Sequence, residues 1–447
     1  MDIYFWVMIG CSVASFWAVF RYCDIRVRTP FFVYTISYIV TTVLGATYIG
    51  LTDAGPLWRL FDLTIDVSPI TQTKGFLYWF LLYGPLFVPT LVLLGCSRRR
   101  YVATASHGSR QRPQITVDAF SFTVVLSVIS VFCLGELARH NGLTNISASL
   151  ASSGDYQSLI TARSSMMTQL SGHFYGFVYV GFPALSVIAL FQWRRMRNTL
   201  WCGLFGISVV AVVYFTLATV QKSPLFVYML GIFLALVTIG ALRIWVIPVI
   251  AGTGMLVLTA LQTVFLGDWS TLQSLSLIIF RMASSYPFFV NLYPKHIPYL
   301  PLNFGFGLLG WGTTLDMNIR VFDYMYPDIF WVQGHAAAPA HICAFAQGGI
   351  APALLVMLLI GGAIVFVGRL RSRVANSPVL FGVYIQGLIA LYFLTQVSLR
   401  GALLESYGLL YAVLPVAALM GVRGVIVLAV ARIREHLTTN TSLVRTV

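Results

Sequence analysis

About eleven long apolar runs, nearly free of charge, constrain this chain more than any other feature. They fall at 3–20, 31–51, 76–96, 117–136, 174–193, 200–219, 224–242, 244–266, 349–368, 378–398 and 403–422. Each is long enough to cross roughly 30 Å of hydrocarbon at about 1.5 Å per helical residue. Hydrocarbon offers no hydrogen bonds to a bare backbone, so such runs are expected to fold as helices. Of the 447 residues 58% are hydrophobic and only 9% charged. So few charges do not cover a water-facing surface of that size. The expected fold class is an all-α polytopic membrane protein. Val425–Ala431 is too short for a twelfth span and is expected to extend the last helix or to lie along the interface. Met1-Asp2-Ile3 lacks the basic start of a signal peptide, so the first run is expected to be a retained span.

The basic residues orient the helices. One alternating set of connections holds Arg21, Arg26 and Arg28, the cluster from Arg98 to Arg112, Arg194, Arg195, Arg197, Arg243, Arg369, Arg371 and Arg373, and the tail from Arg423 to Arg445. That is 19 of the 28 basic residues, against three acids, Asp24, Asp118 and Glu435. The positive-inside rule places this set on the inner side. The N-terminus is then external and the C-terminus internal. Residues 1–266 are expected to carry spans one to eight, with external loops 52–75 and 137–171. A large external loop, 267–348, separates the eighth and ninth spans. Spans nine to eleven fill 349–422, and 423–447 form an internal tail. The net charge of +14 is on this reading a topology signal, aided by anionic headgroups, and no nucleic-acid partner is expected. The six cysteines lie mostly in apolar runs without paired spacing, so neither a disulfide framework nor a zinc site is expected.

The 267–348 loop holds Arg281, Lys295, His296, Asp316, Arg320, Asp323, Asp328, His335 and His341 among dense Tyr and Trp. A loop of this length is functional or disordered. Its aromatic and apolar content argues for a folded cap over an external site. There is no P-loop, GxGxxG, HExxH or CxxC, so ATP and dinucleotide chemistry are not expected. No metal and no cofactor is expected either.

Candidate residues follow from cations and histidines at the external boundary. Lys222, in the tight corner Gln221-Lys222-Ser223-Pro224, lies where one span ends and the next begins. It either snorkels to the interface or faces a phosphate or sugar there, and Pro224 suits the first turn of the next helix. Arg281 lies in an apolar run, where a guanidinium wants an anionic partner. Its fork suits a phosphate bidentately, though a pairing with Asp268 would serve as well. Arg163 is the analogous cation of the 137–171 loop. Arg400 either pairs with Glu405 or belongs to the site. His335 and His341 are six apart around a proline, which is not metal-ligand spacing on a helix. Either is placed to accept a proton near neutral pH, or to be a satisfied interfacial histidine. Tyr286 and the other loop aromatics form an interface belt or loop core, or a platform for sugar rings.

The chain resembles the Wzy-type O-antigen polymerases of bacterial inner membranes and, more remotely, the O-antigen ligases that share their architecture. The likeness rests on the many spans with a large late external loop and on several short stretches. Gln221-Lys222-Ser223-Pro224 resembles the polymerases' Gln-Lys-x-Pro corner. Tyr156 with Arg163, and Phe280-Arg281 with Pro287, resemble arginine-bearing loop segments. His335 or His341 followed by Gln347-Gly348-Gly349 is similar to the ligases' histidine before a Glu-x-Gly helix start, with Gln347 in place of the acid. The resemblance implies a GT-C-like, metal-independent glycosyltransferase working at the periplasmic face of the inner membrane. The N-terminus would be periplasmic and the C-terminus cytoplasmic. Its substrate would be a glycan on undecaprenyl pyrophosphate, and a chain-length regulator is an implied partner beside membrane lipids. Lys222, Arg163, Arg281, Arg400 and Tyr286 would bind pyrophosphate or sugar, and His335, His341 and Arg281 would be catalytic. An O-antigen ligase and a lipid-linked glycan transporter or flippase are the alternatives. Transporters gather ionisable groups at the bilayer midplane, whereas here they lie at span ends and in external loops.

Overall fold

The computed structural model describes residues 3–52, 75–98, 117–140, 169–218, 223–242, 283–300, 317–327, 336–374, 377–404 and 408–443. Every regular element among them is a helix. In chain order they are α1 (Ile3–Tyr22), α2 (Ile25–Tyr38), α3 (Leu44–Thr52), α4 (Phe76–Arg98), α5 (Ala119–Arg139), α6 (Gly172–Gly176), α7 (Phe182–Met196), α8 (Thr199–Ala218) and α9 (Ser223–Thr238). Then come α10 (Ser285–Leu292), α11 (Met317–Met325), α12 (Ala340–Gly348), α13 (Ile350–Val374), α14 (Pro378–Phe393), α15 (Leu399–Leu403) and α16 (Leu410–Leu443). A π turn, Ile39–Val43, joins α2 to α3, and a second, Phe177–Gly181, joins α6 to α7.

Among the described residues, seven helical stretches are long and apolar enough to cross a membrane: Ile3–Tyr22, Ile25–Thr52, Phe76–Cys96, Ala119–Arg139, Gly172–Met196, Thr199–Thr216 and Ile350–Val374. Three shorter apolar helices accompany them: Ser223–Thr238, Pro378–Phe393 and Leu410–Val425. The chain is a polytopic helical membrane protein. The expected span at 244–266 lies outside the described residues.

Local chemistry sets the helix ends. Asp24 accepts the Arg26 N–H at 2.9 Å, which starts α2 at Ile25, ahead of the expected 31. Asp118 accepts from Ser121 at 2.7 Å at the head of α5. Each carboxylate satisfies an N–H that the first helical turn leaves open. The expected span 378–398 stops at Phe393, and the expected 403–422 begins only at Leu410. Hydroxyls compete with the helix in between: Thr395 Oγ1 donates to the Tyr392 carbonyl at 2.7 Å, and Ser398 Oγ accepts the Gly401 N–H at 3.1 Å. The Arg400-Gly401 corner is thereby a short helix, α15. Residues 425–431 continue α16 without a break.

Packing then sorts the helices. The stretch from Phe182 to Leu190 is buried at every residue and apolar except for Ser186, which donates to Ser208 at 2.9 Å, and it belongs to one of two cores. The second core surrounds α4 and takes in α10, α11 and α12. Helices α4 and α13 approach closely at Gly361, where an added Cβ would lie 2.8 Å from the Pro89 carbonyl oxygen. Small residues at such crossings let backbones meet where lipid gives no hydrophobic drive.

Several arginine-rich helix ends share one face of the bundle. Arg371 donates to the Thr29 hydroxyl and to the Ile25 carbonyl. Gln192 Nε2 donates to the Val117 carbonyl at 3.2 Å. Arg194, Arg195, Arg197, Trp193, Phe191 and Ile239 line an open cleft of about 580 Å³ there. Helices α10 to α12 adjoin the other end of α4, beside Tyr78 and Leu81. Of the long late loop, the described segments 283–300, 317–327 and 336–348 are largely helical, and α10 is buried along its whole length.

Candidate functional site

A polar seam runs through the bundle where α14 ends. Helix α4 carries Pro85, which has no N–H and so leaves the Leu81 carbonyl, four residues back, without its helical donor. His341, on α12, fills that vacancy: its Nε2 lies 2.9 Å from the Leu81 oxygen. A carbonyl only accepts, so Nε2 carries the proton and Nδ1 holds a lone pair. Nδ1 is buried and has no hydrogen-bond partner among the described residues. The Tyr38 hydroxyl, last residue of α2, donates to the Leu82 carbonyl at 2.9 Å and lies 3.4 Å from the same Nε2. The imidazole is wholly buried, and burial pushes its pKa down to about 3, partly opposed by the Leu81 carbonyl. His341 is therefore neutral at physiological pH and enclosed.

From His341 the seam continues in both directions. The Ala340 N–H donates to the Leu394 carbonyl at 3.0 Å. One residue on, Thr395 accepts from Thr41 at 3.4 Å, and Thr41 lies on the first π turn. One residue back, the Phe393 ring meets Tyr179 edge-on at 6.3 Å, and Tyr179 lies on the second π turn. Tyr179 in turn bonds Ser223 Oγ at 2.5 Å, at the first residue of α9. Two π turns, which insert a residue and re-aim the side chains that follow, thus face the same frayed helix end. Ser223, Tyr179, Phe393, Leu394, Ala340 and His341 adjoin in series. Farther along α6, His173 Nδ1 pairs with the Tyr411 hydroxyl at 2.7 Å.

Of the residues expected in the site, three are described. His341 is the one the seam contains. Tyr286 is fully buried, with its hydroxyl donating to the Tyr78 carbonyl at 2.7 Å and its ring edge-on to Tyr78. It braces α10 against α4, and in this arrangement it presents no open face to a sugar. Arg400 is half-buried on α15. Lys222, Arg281, Arg163 and His335 lie outside the described residues, as do Tyr156, Asp268 and Glu405. The structure adds Tyr38, Tyr179 and the threonines, which sequence reasoning passed over. Pro85 was the available signal for the Leu81–His341 contact, since a proline inside a span announces a carbonyl in need of a donor.

The basic cleft of about 580 Å³ lies among helix ends away from this seam. Compared with protein-family models, with curated proteins and with solved structures, the chain matches none.

Proposed function

We propose that the chain is a GT-C-type membrane glycosyltransferase that polymerises undecaprenyl-pyrophosphate-linked oligosaccharide repeat units into a surface polysaccharide. It has about eleven spans in the bacterial inner membrane, with a periplasmic N-terminus, a cytoplasmic C-terminus and a periplasmic active site. One observation carries the reading: the seam joins Ser223, the residue after Lys222 in the corner, to α12 with its histidine. The corner and the late-loop histidine are two of the stretches on which the family likeness rests.

In the reaction, an acceptor sugar hydroxyl attacks the anomeric carbon of the donor. The bond from that carbon to the pyrophosphate oxygen breaks, and the lipid pyrophosphate leaves with the electron pair. Negative charge grows on the leaving group, and Lys222, Arg281 and Arg163 are the cations to meet it. The hydroxyl proton passes to a histidine. His335 and His341 are the two candidates, and in this fold His341 is enclosed against the Leu81 carbonyl. Both substrates are membrane-anchored, so the reacting groups are already confined to one surface.

A second reading has one observation in its favour. Gln386, on α14, is buried with neither amide atom hydrogen-bonded among the described residues, as a transport path for a polar cargo would need. Purified protein supplied with lipid-linked repeat units in detergent separates the two. Elongation into a ladder establishes the enzyme; no elongation, with flux in vesicles, establishes the transporter.

A further inference from the structure

The cleft of about 580 Å³ at the arginine-rich helix ends opens where two apolar membrane helices finish. Helix α7 ends at Met196, and Ile239 follows the last residue of α9. Phe191, Trp193 and Ile239 make one wall of the cleft, and Arg194, Arg195 and Arg197 the other. The aromatic wall is braced from behind. The Phe191 ring packs on Phe381 at a centroid distance of 4.7 Å, and Trp193 stacks on Phe205 at 6.0 Å. All three arginines are exposed. No acidic side chain is among the described residues that line the cleft.

Arg197 holds an uncommon conformation. It closes α7 in the left-handed region, with φ 51° and ψ 31°, and its N–H donates to the Trp193 carbonyl at 2.8 Å. Among the described residues it is the one non-glycine with positive φ. Glycine and asparagine take that conformation more readily. An arginine kept at such a position points to a use for its charge. The described acids of this side are engaged elsewhere: Asp24 pairs with Arg26 at 3.9 Å, and Asp118 caps α5. The tail 423–447 carries four arginines against one acid, Glu435. Like charges repel, so that tail is ill suited to fill the cleft.

We propose that this cleft binds the headgroup of an anionic phospholipid. The phosphodiester lies against the Arg194 and Arg197 guanidinium groups, whose planar forks suit phosphate oxygens. The glycerol and the upper acyl chains lie along Phe191, Trp193 and Ile239. A free phosphate has nothing to bury against that second wall, whereas a lipid uses both. The ends of membrane helices are also the level at which headgroups meet acyl chains. By the positive-inside rule, this face is turned to the leaflet whose surface is anionic. The site does not depend on the polymerase reading.

Native mass spectrometry of the full chain in detergent tests it, with phosphatidylglycerol and phosphatidylcholine of matched acyl chains as probes. Both carry a phosphodiester, but choline cancels its charge. Phosphatidylglycerol is expected to bind roughly tenfold more tightly. The double variant Arg194→Gln, Arg197→Asn should lose that preference, and Arg197→Asn alone should weaken phosphatidylglycerol binding about threefold. Asparagine suits the left-handed position, so Arg197→Asn should melt no lower than wild type and keeps the test open if the double variant fails to fold. Arg369→Gln with Arg373→Gln removes the same charge from exposed arginines of the same face outside the cleft. That control should keep the preference. An equal loss in the control overturns the proposal, because net charge alone would then explain binding. A preference that survives the double variant overturns it as well. Displacement of the bound lipid by millimolar inorganic phosphate does so too, in favour of a free-anion site.

Discussion

His341 and Leu81 are joined by a hydrogen bond of 2.9 Å that exists because Pro85 supplies no N–H to the Leu81 carbonyl. The contact ties α12 to α4 across 260 residues of sequence. His341→Ala should cost roughly 2–4 kcal/mol, from a cavity plus an unsatisfied carbonyl. Thermal unfolding in detergent reads it. In a Pro85→Ala background, where the substituted residue brings the missing backbone N–H, the cost of His341→Ala should shrink. Equal costs in both backgrounds would break the link between proline and histidine.

The same histidine predicts a pH dependence. Its folded pKa is depressed below the ordinary value of 6.5, so the folded state binds fewer protons than the unfolded one. The stability it contributes is present above about pH 6.5 and is lost as pH falls from there toward about 3. At pH 5 the loss should be about 2 kcal/mol. His341→Gln, which keeps a donor but does not titrate, should flatten the curve in that window. An unchanged pH profile in this variant would assign the acid sensitivity elsewhere.

Tyr179 and Ser223 hold the start of α9 to the second π turn. Tyr179→Phe and Ser223→Ala should each destabilise by about 1 kcal/mol, and the double variant by little more than either alone. Additive losses would mean that the two hydroxyls act independently. If the corner serves catalysis, both variants should also slow elongation more than they change protein level.

Gly361 is the tight point between α13 and α4. Gly361→Ala puts a methyl group against the Pro89 backbone, which has no rotamer to turn away. A loss of about 1–3 kcal/mol is expected. Gly362→Ala meets nothing within 4 Å among the described residues and serves as the control. Matched melting temperatures for the two would argue against this helix crossing.

Lys222→Ala and Arg281→Ala should each abolish long polysaccharide while protein level persists. Electrophoresis of the surface glycan is the readout. Normal chain-length ladders in both variants would remove the leaving-group site. In a strain lacking the gene, a single repeat unit on the final acceptor fits a polymerase; bare acceptor with accumulated lipid-linked polymer fits a ligase.

Much of the helix order was legible in the runs themselves. Asp24, Asp118 and Pro378 stand at helix starts in the structure, since each helix opens with N–H groups that need an acceptor or a residue lacking one, a signal the apolar runs alone do not carry. The ends of α14 and α16 were less legible. Thr395 and Ser398 sit in apolar surroundings that hydropathy reads as span, yet their hydroxyls turn the chain. For Tyr286 the sequence leaves interface belt, loop core and sugar platform open, and nothing local distinguishes them; its hydroxyl reaches back to Tyr78, as a core residue's does.

The sequence by itself determined that this is a chain of membrane helices, because apolar length and backbone hydrogen bonding are properties of neighbouring residues. Only the tertiary structure decided which carbonyl His341 meets, which hydroxyl fixes Ser223, and that Tyr38 lies beside His341 from 303 positions away. Those outcomes depend on which helix packs beside which, and a periodic apolar pattern is nearly the same for every helix that lipid surrounds.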